Sequence, residues 1–478
     1  MKRIARHKTA LRRHDFSRPV RIALADGLLN GETTFFDFGC GLGDDVRLLA
    51  ERGIGAAGWD PSHAPDSPRI RSDVVNLGYV LNVIEDPHER RTVLQEAWAL
   101  AGRILVVAAR LAIEGPGGHD ACFGDGYLTR TGTFQKYFEQ GELRDLVADA
   151  LSSSPVAVGP GVFYVFRDGA EREAFIASRY RRTIAAPKIR KSDQLFERHV
   201  EILRPLIEFV SARGRLPEAD ELPQYGDLST AFGSVKRAFS VVRRVTGDSW
   251  VAVRQARSDD LLVYLALARF GGRPPISQFP RSLQLDIRSF FSSYTAACKR
   301  ADEFMASAAR AEYVDQLCRA SSIGKETPAA LYVHVSALDK LHPILRLIEG
   351  CARTYIGTNI GANILKFHRD KPSVSYLSYP SFDTEAHPAL AGSLIVHLRG
   401  PHALFRDYSE SDDPPILHRK EEFVPEDYPR RRTFERLTKQ EEACGLYSNP
   451  ATIGTRKSWE RTLQREGRKL RGHVLVRR

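Results

Sequence analysis

Long apolar runs are missing from this sequence. No stretch approaches the roughly 18–20 residues that a membrane-spanning helix needs, and the basic first eight residues lack the apolar segment of a secretory signal. With 42% hydrophobic residues, 27% charged residues and a mean hydropathy of −0.31, the composition is typical of soluble globular proteins. We therefore expect a cytoplasmic protein without a membrane partner, and the 478 residues predict two to four domains.

Paired cysteines and spaced histidines are also missing. The six cysteines are scattered without a Cys-x-x-Cys pair, which argues against a zinc ribbon or a disulfide framework and fits a reducing compartment. Eight of the fourteen histidines lie beyond residue 330, but no two have His-x-His or His-x-x-x-His spacing. We therefore predict neither a metal site nor a cysteine nucleophile.

The most informative stretch is present between residues 33 and 46, which read TTFFDFGCGLGDDV. A β-prone run leads into an acidic residue, then into three glycines at alternate positions, then into helical spacing. Glycine lets the chain turn sharply and lets the backbone pass close to a ligand. The candidate cofactor-binding residues here are Asp37, Gly39, Cys40, Gly41 and Gly43.

A second short strand, residues 55–60, ends in the carboxylate of Asp60, which is suited to accept hydrogen bonds from a ribose diol; Pro61 follows it. The Gly-x-Gly-x-Gly loop with Asp60 at this distance resembles the first motif of class I S-adenosyl-L-methionine (SAM) methyltransferases. That resemblance implies that the glycine loop passes under the methionine half of SAM and that Asp60 and Pro61 contact its nucleoside. An ordinary strand–turn–helix, in which the glycines serve only the turn, is the alternative.

The segment Asp73–Pro87 resembles the fourth-strand region of the same class. The residue after that strand usually faces the methyl group, so Asn76 is the first catalytic candidate and Tyr79 the second. Asp73 and Asn76 are also predicted to contact the cofactor. Prolines crowd the preceding segment, so the usual third strand is expected to shrink to residues 69–71 or to be missing.

The alternation of strands and helices predicts a doubly wound α/β sheet. Together with the resemblance above, it implies an α/β fold with a Rossmann-like class I SAM-methyltransferase domain, followed by a helical region and an α+β C-terminal region. The basic residues near the start predict either a flexible tail or a phosphate-contacting strand. The predicted parts are a basic N-terminal arm (1–15), the SAM-binding domain (16–170), a mainly helical domain (180–325), and an α+β C-terminal domain with a basic helical tail (330–478).

The formal charge of +11 and the pI of about 9.4 permit binding to a polyanion. Standard DNA-methylating sites are nevertheless missing. Amino-methylating enzymes place an Asp/Asn-Pro-Pro-aromatic tetrad at the site where this chain reads Asn76-Leu77-Gly78-Tyr79, and no cysteine follows a proline, as cytosine-C5 enzymes require.

Six segments that together span nearly the whole chain are informative as a set: residues 4–11, 73–87, 132–136, 160–167, 414–421 and 453–456. These segments resemble those of the bacterial DNA phosphorothioation-associated methyltransferases. The resemblance implies a role beside the systems that replace a phosphate oxygen of DNA by sulfur, with DNA or proteins of that machinery as partners. The rival interpretations are a nucleic-acid-binding or regulatory protein that has kept a SAM fold without turnover, and a tRNA or small-molecule methyltransferase.

Overall fold

The computed structural model describes residues 4–112, 115, 121–190, 193–358, 361–449 and 453–478. The chain packs into two compact units. One comprises Met1–Asp168, Ser322–Ala337 and Cys351–Arg478, and the other comprises Gly169–Ser321 and Leu338–Gly350. In the described part of the chain, no helix is both long enough and apolar enough to cross a membrane.

The N-terminal part of the first unit alternates strands and helices. Its strands are β1 (Thr34–Phe38), β2 (Gly55–Trp59), β3 (Ser72–Gly78), β4 (Ala101–Ala108), β5 (Ala121–Phe123), β6 (Gly126–Leu128), β7 (Phe134–Gln135), β8 (Val156–Gly159) and β9 (Val162–Phe166). Its helices are α1 (Arg18–Ala25), α2 (Asp44–Glu51), α3 (Pro87–Leu100) and α4 (Gln140–Leu151).

The main sheet has the strand order β2-β1-β3-β4-β9-β8. Strands β2, β1, β3 and β4 are parallel, and β9 and β8 form an antiparallel hairpin at the edge. This arrangement confirms the predicted α/β, Rossmann-like fold. Between β2 and β3 the chain forms turns and bends, and residues 69–71 do not form a separate strand, so β2 is an edge of the sheet.

The sheet is held by apolar side chains that are buried on both of its faces, as expected for parallel strands. Phe36, Val75 and Leu105 are all at most 1% exposed and share one core cluster with Leu94 of α3 and Leu143 of α4. Burying such side chains stabilises the fold by about 1.5–3 kcal/mol each. The core therefore fixes the edge of the sheet at which the loops after β1, β2 and β3 meet.

The second unit is helical. Among the described residues its core includes Leu203, Val242 and Trp250, each at most 6% exposed. The helices, of which the last runs on into the first unit, are α5 (Gly169–Arg179), α6 (Gln194–Arg198), α7 (Val200–Arg213), α8 (Tyr225–Phe232), α9 (Val235–Thr246), α10 (Trp250–Leu267), α11 (Arg281–Phe291), α12 (Tyr294–Ala308), α13 (Ala311–Arg319) and α14 (Pro343–Ile356).

The C-terminal part of the chain forms a second, antiparallel sheet with the order β10 to β15, followed by two helices and a hairpin. The elements are β10 (Lys325–Thr327), β11 (Ala330–His334), β12 (Ile364–His368), β13 (Ser373–Ser378), β14 (Gly392–His397), β15 (His402–Asp407), α15 (Arg431–Ala443), α16 (Arg456–Arg465), β16 (Arg468–Arg471) and β17 (Val474–Arg477).

Most of the predicted C-terminal domain belongs to the same compact unit as the predicted SAM domain. The chain after α14 runs directly along β8. The N–H of Thr358 donates to the carbonyl of Val158 at 3.1 Å, and a Cβ on Gly357 would lie 2.1 Å from the nitrogen of Gly159. The four-part division of the sequence remains a prediction.

The predicted basic helical tail is only half helical. Helix α16 ends at Arg465, and β16 and β17 then pair as an antiparallel hairpin. Gly467 and Gly472 have positive φ angles of 60° and 55°, which favour turns at these two positions. Leu470 and Leu475 pack against the small core around Trp459.

Candidate functional site

A cavity of about 560 Å³ lies at the carboxyl ends of β1, β2 and β3. Crevices at this edge of an open parallel sheet are the usual ligand sites of such folds. Its walls are the loops after the three strands, one side of α3 and the N-terminal segment. The lining includes Arg6, His7, Thr9, Arg13, Gly39, Cys40, Gly41, Trp59, Asp60, Pro61, His63, Arg69, Tyr79, Val80, Glu89, Glu96, Arg110 and Gln135.

The glycine loop adopts a backbone that other residues rarely adopt. Gly39, Gly41 and Gly43 have φ angles of 87°, 53° and 75°, in the left-handed region that glycine enters without steric cost. Gly39 also touches the loop after β3, because a Cβ there would lie 2.5 Å from Cγ2 of Val80. At Gly39 and Gly41 the cavity is therefore lined by backbone atoms without side chains.

Asp60 fixes the glycine loop to the end of β2. Its Oδ2 accepts from the N–H of Gly41 at 3.1 Å, and its Oδ1 accepts from the N–H groups of Ser62 and His63 at 2.8 and 2.9 Å. Burial alone would raise the pKa of Asp60, but these hydrogen bonds outweigh it and hold the pKa below its usual value. A carboxylate has about four acceptor positions, so Oδ2 has capacity for a further donor from a ligand.

Asp37 lies under the glycine loop, and the described residues that line the cavity do not include it. Its Oδ1 accepts from the side-chain amide of Asn76 at 2.8 Å, and both residues are at most 5% exposed. Burial and the nearby charge of Asp45 raise the pKa of Asp37 to about 7. The pair therefore braces β1 against β3 behind the cavity.

Tyr79 is the first residue after β3, and its side chain lines the cavity. Its φ angle is 62°, an uncommon value for a residue with a Cβ, and its N–H donates to the carbonyl of Ala108 at 2.7 Å. Strained backbone of this kind clusters at functional sites. Arg110 and Gln135 line the cavity near the same end of the sheet.

The N-terminal segment covers part of the cavity. Arg6 donates to Glu85 at 2.9 Å and makes two hydrogen bonds of 2.6 and 2.7 Å to the carboxylate of Glu89. Further along, the N–H of Arg13 donates to Asp44 at 2.7 Å. The described residues of this segment are thus bound to the domain by ion pairs, and Arg6 is not available to contact phosphate as the sequence suggested.

Helix α2 begins with two acidic side chains. Asp44 and Asp45 are each about 4% exposed, and they accept hydrogen bonds from the N–H groups of Arg13 and Ser17, both at 2.7 Å. Helix N-termini attract anions, and here protein carboxylates occupy that position. The site therefore does not provide a pyrophosphate cradle of the dinucleotide-binding type.

The edge left without a third strand is covered by an arginine. The guanidinium of Arg69 stacks 3.7 Å from the ring centre of Trp59 and pairs with Glu96 of α3 at 2.9 Å. All three residues line the cavity. Sequence reasoning missed Arg69, since its position in a proline-rich segment carries no pattern.

The structure brings together only some of the predicted site residues. Gly39, Cys40, Gly41, Asp60, Pro61 and Tyr79 line the cavity. Gly43 begins α2, and Asp37 and Asn76 lie behind the wall. The thiol of Cys40 is half-buried, and burial raises its pKa to about 12, which agrees with a packing role.

Two predicted roles need correction. Asp73 stands at the amino end of β3, where it accepts from the N–H and hydroxyl of Thr34 at 2.9 and 2.8 Å; it is roughly 16 Å along the strand from Gly78 and does not reach the cavity. Asn76 is inside β3 and is not among the described residues that line the cavity, so its predicted role facing the methyl group does not fit, whereas Tyr79 lines the cavity.

The histidines of the C-terminal part are used for packing. The rings of His387 and His418 lie 4.2 Å apart, and His387 is 2.7 Å from the fully buried carboxylate of Glu441. His418 lies within hydrogen-bond distance, 2.6 Å, of the carbonyl of Ile453. Burial lowers the pKa of His418 to about 3, which keeps it neutral.

Comparison with known proteins found matches among solved structures. No protein-family model and no curated protein matches the sequence. A 1,6-didemethyltoxoflavin-N1-methyltransferase from Burkholderia thailandensis is 17% identical over 31% of this chain and 79% of its own, with a TM-score of 0.23. A sugar N-methyltransferase from a Streptoalloteichus species is 16% identical over 35% and 88%, with a TM-score of 0.25.

A magnesium protoporphyrin IX methyltransferase from Synechocystis is 16% identical over 34% of this chain and 93% of its own, with a TM-score of 0.24. At these identities and TM-scores the similarities do not assign an activity to this chain. The strand order of the main sheet itself shows that the first unit contains a Rossmann-like α/β domain.

Proposed function

We propose that this protein is a SAM-dependent methyltransferase that acts beside bacterial DNA phosphorothioation systems, with DNA as the methyl acceptor. The observation that carries the cofactor assignment is the cavity at the ends of β1, β2 and β3. There a bare glycine loop faces Asp60, whose Oδ2 accepts only one hydrogen bond from the described residues. SAM supplies an activated methyl group for an in-line displacement.

The cavity is lined by charges of both signs. Arg6 and Arg69 neutralise the lining residues Glu89 and Glu96. Asp60 is bound directly to the glycine loop through the N–H of Gly41, and a carboxylate in that position favours a nearby cation and repels an anion. In the proposed complex the N–H groups of the loop and Oδ2 of Asp60 would bind the cofactor, and Tyr79 would border its reactive end.

The chain's own contribution to the reaction is alignment and exclusion of water, because a displacement at a methyl group requires few catalytic side chains. The N-terminal segment and the Arg69–Trp59 stack screen the cavity from two sides. The positive φ at Tyr79 sets the direction in which its Cβ leaves the backbone. In the proposed complex these features would help to hold an acceptor atom opposite the methyl group.

The choice of DNA rests on the sequence resemblance and on the positive charge of the chain. Both are compatible with a nucleic-acid-binding protein that keeps SAM without turnover, and a tRNA acceptor gives the same charge argument. Transfer of a radiolabelled methyl group to DNA, tRNA and protein from cells lacking this protein distinguishes these outcomes. Label in DNA is expected; label only in tRNA or protein, or none despite SAM binding, would contradict the acceptor assignment.

The cofactor assignment is tested by calorimetry with SAM and two variants of one residue. Asp60→Asn keeps the shape and one acceptor oxygen but removes the charge, whereas Asp60→Ala removes both. Hydrogen bonds to charged groups contribute about 1.5–3 kcal/mol, so we expect SAM affinity to fall about 10- to 150-fold in Asp60→Asn and further in Asp60→Ala. Equal affinity in all three proteins would exclude the proposed pose, and Asp66→Asn, at an exposed position in the same segment, is the control.

A further inference from the structure

The positive charge of this protein is concentrated at its C-terminus. Residues 430–478 contain 14 Lys and Arg and 5 Asp and Glu, a formal charge of +9 out of the +11 of the whole chain. The remaining 429 residues are therefore close to neutral. A general solvated basic surface would spread its charge more evenly along the sequence.

The basic side chains lie on the outer sides of three elements that pack together. Helix α15 packs against β17 and α16 packs against β16, and the N–H of Leu475 donates to the side chain of Gln440 at 3.0 Å. Trp459 and Leu463 anchor α16 from its inner side. The C-terminal basic face is defined here as Arg432, Arg436, Lys439, Lys457, Arg461, Arg465, Lys469 and Arg471, all of them exposed.

Within the described part of the chain, this face is poorly neutralised. Lys439 pairs with Glu435 at 2.7 Å and Arg465 with Glu466 at 3.0 Å; the other six members have no carboxylate within salt-bridge distance among the described residues. Asp413 accepts from the N–H of Lys457 at 2.7 Å, so its carboxylate offsets part of the charge at the start of α16. The rest of the face keeps its positive charge, which an anion outside the protein would balance.

We propose that the C-terminal basic face binds the phosphate backbone of a nucleic acid duplex. On α16, Lys457, Arg461 and Arg465 follow one another at four-residue intervals, about 6 Å apart, which makes a row about 12 Å long. A duplex carries one charge per roughly 1.7 Å of its axis, so such a row passes several phosphates. The partner is named in keeping with the proposed function, but the surface argument itself does not involve methyl transfer.

The residue types favour a duplex over other polyanions. Eleven of the fourteen basic residues in this segment are arginines, whose guanidinium groups bind phosphate in a bidentate manner. The large aromatic side chains Phe434 and Trp459 are buried. The face thus lacks, among its described residues, the exposed rings that anchor protein partners or stack on single-stranded bases.

The test measures binding of the full chain to a fluorescent 24-base-pair duplex by anisotropy, between 50 and 250 mM salt. The variant Lys457→Gln/Arg461→Gln/Arg465→Gln neutralises the α16 row. The control Lys236→Gln/Arg237→Gln/Arg243→Gln removes the same formal charge from exposed positions on α9. Circular dichroism and melting temperature establish that all three proteins are folded.

Each phosphate contact contributes about 0.9 to the slope of log K against log salt. The slope measured for the α16 variant should therefore be smaller by up to about 2.7, and its affinity for the duplex at 150 mM salt should be lower by on the order of 100-fold. The affinity of the control should stay within about twofold of that of the unaltered protein. Unchanged binding by the α16 variant, equal losses in variant and control, or a slope near zero in the unaltered protein would each overturn the proposal.

Two further measurements distinguish a duplex from other polyanionic partners. A single strand of the same length should bind the unaltered protein more weakly than the duplex, and polyglutamate should compete poorly; the reverse in either case refutes a duplex. SAM binding is measured by calorimetry on the same three proteins and should be unchanged. Absence of SAM binding in all of them would refute the proposed function, while binding to the duplex would be judged independently from the anisotropy data.

Discussion

The close approach of Gly39 to Val80 predicts a specific coupling between two loops of the cavity. In Gly39→Ala the new Cβ would lie 2.5 Å from Cγ2 of Val80, well inside van der Waals contact. The φ angle of 87° adds a backbone cost of about 1–2 kcal/mol for a residue with a Cβ. Relief of the overlap by movement typically costs about 1–3 kcal/mol more.

Gly43 supplies the matched control. It has a φ angle of 75°, but a Cβ there would meet nothing within 4 Å. Gly43→Ala should therefore lower the free energy of unfolding only by the backbone cost of about 1–2 kcal/mol. Gly39→Ala should lower it by about 2–5 kcal/mol in total. Urea denaturation measures the free energy of unfolding of both variants.

A double-mutant cycle isolates the overlap itself. Val80→Ala removes Cγ2 and leaves Cβ of residue 80 at 3.7 Å from the built Cβ, an ordinary contact. Gly39→Ala/Val80→Ala should thus recover about 1–3 kcal/mol relative to the sum of the single variants, and SAM affinity should recover with it. Losses that add to within about 0.5 kcal/mol would show that the two loops do not meet as described.

Two further predictions concern groups beside the cavity. Arg6→Gln should speed hydrogen exchange at the amides of Ala5 and Arg13 up to about fivefold, because about 1 kcal/mol of ion-pair stabilisation is lost. The control Arg281→Gln, which breaks an exposed pair with Asp220, should leave those amides unchanged, and equal rates in all proteins would contradict the role given to Arg6. Asp37 has a pKa raised from 3.8 to about 7, so between about pH 4 and 7 the folded state keeps a proton that the unfolded state has lost, and stability falls with rising pH by up to about 4 kcal/mol. In Asp37→Asn this fall should disappear from denaturation curves recorded between pH 4 and 8, and the same pH slope in both proteins would refute the raised pKa.

The parts of the fold that the sequence predicts are those with local signals. The glycine loop was predictable because positive φ angles and close backbone approach select glycine at Gly39 and Gly41. The parallel strands were predictable because continuous apolar runs such as residues 104–109 suit a sheet covered on both faces. The loss of the third strand follows from prolines, which cannot donate in a ladder.

The features that could not be predicted from the sequence depend on strand register and on contacts between residues far apart in the chain. An Asp-x-Val pattern marks β3 but not which end of it reaches the cavity, and Asp73 pairs with Thr34, 39 positions away in the sequence. The partners of Arg6 lie 79 and 83 positions away. Composition identified that segment as basic, but only the fold shows that its charge is used inside the protein.

The C-terminal hairpin, where the sequence predicts a helix, could not be predicted for another reason. Residues 456–471 are rich in Arg, Lys and Leu, which favour helix, and helical spacing extends past Gly467. A glycine within such a run costs only about 1 kcal/mol. Leu470 and Leu475 pair across the hairpin and pack, partly buried, against the core around Trp459. These contacts outweigh local propensity, since tertiary contacts decide short elements.

Two unusual features of the cavity meet on one helix. Glu89 and Glu96 are seven residues apart on α3, which places them two turns apart on one face, and both line the cavity. Arg6 from the N-terminal segment pairs with Glu89, and Arg69, from the segment that lacks a strand, pairs with Glu96. Because all four side chains are 34–45% exposed, each pair contributes about 1 kcal/mol or less and is screened by salt. These two ion pairs of the cavity covering are therefore weak, and breaking them leaves the apolar core intact. In the proposed function, that would ease exchange of the cofactor and entry of an acceptor.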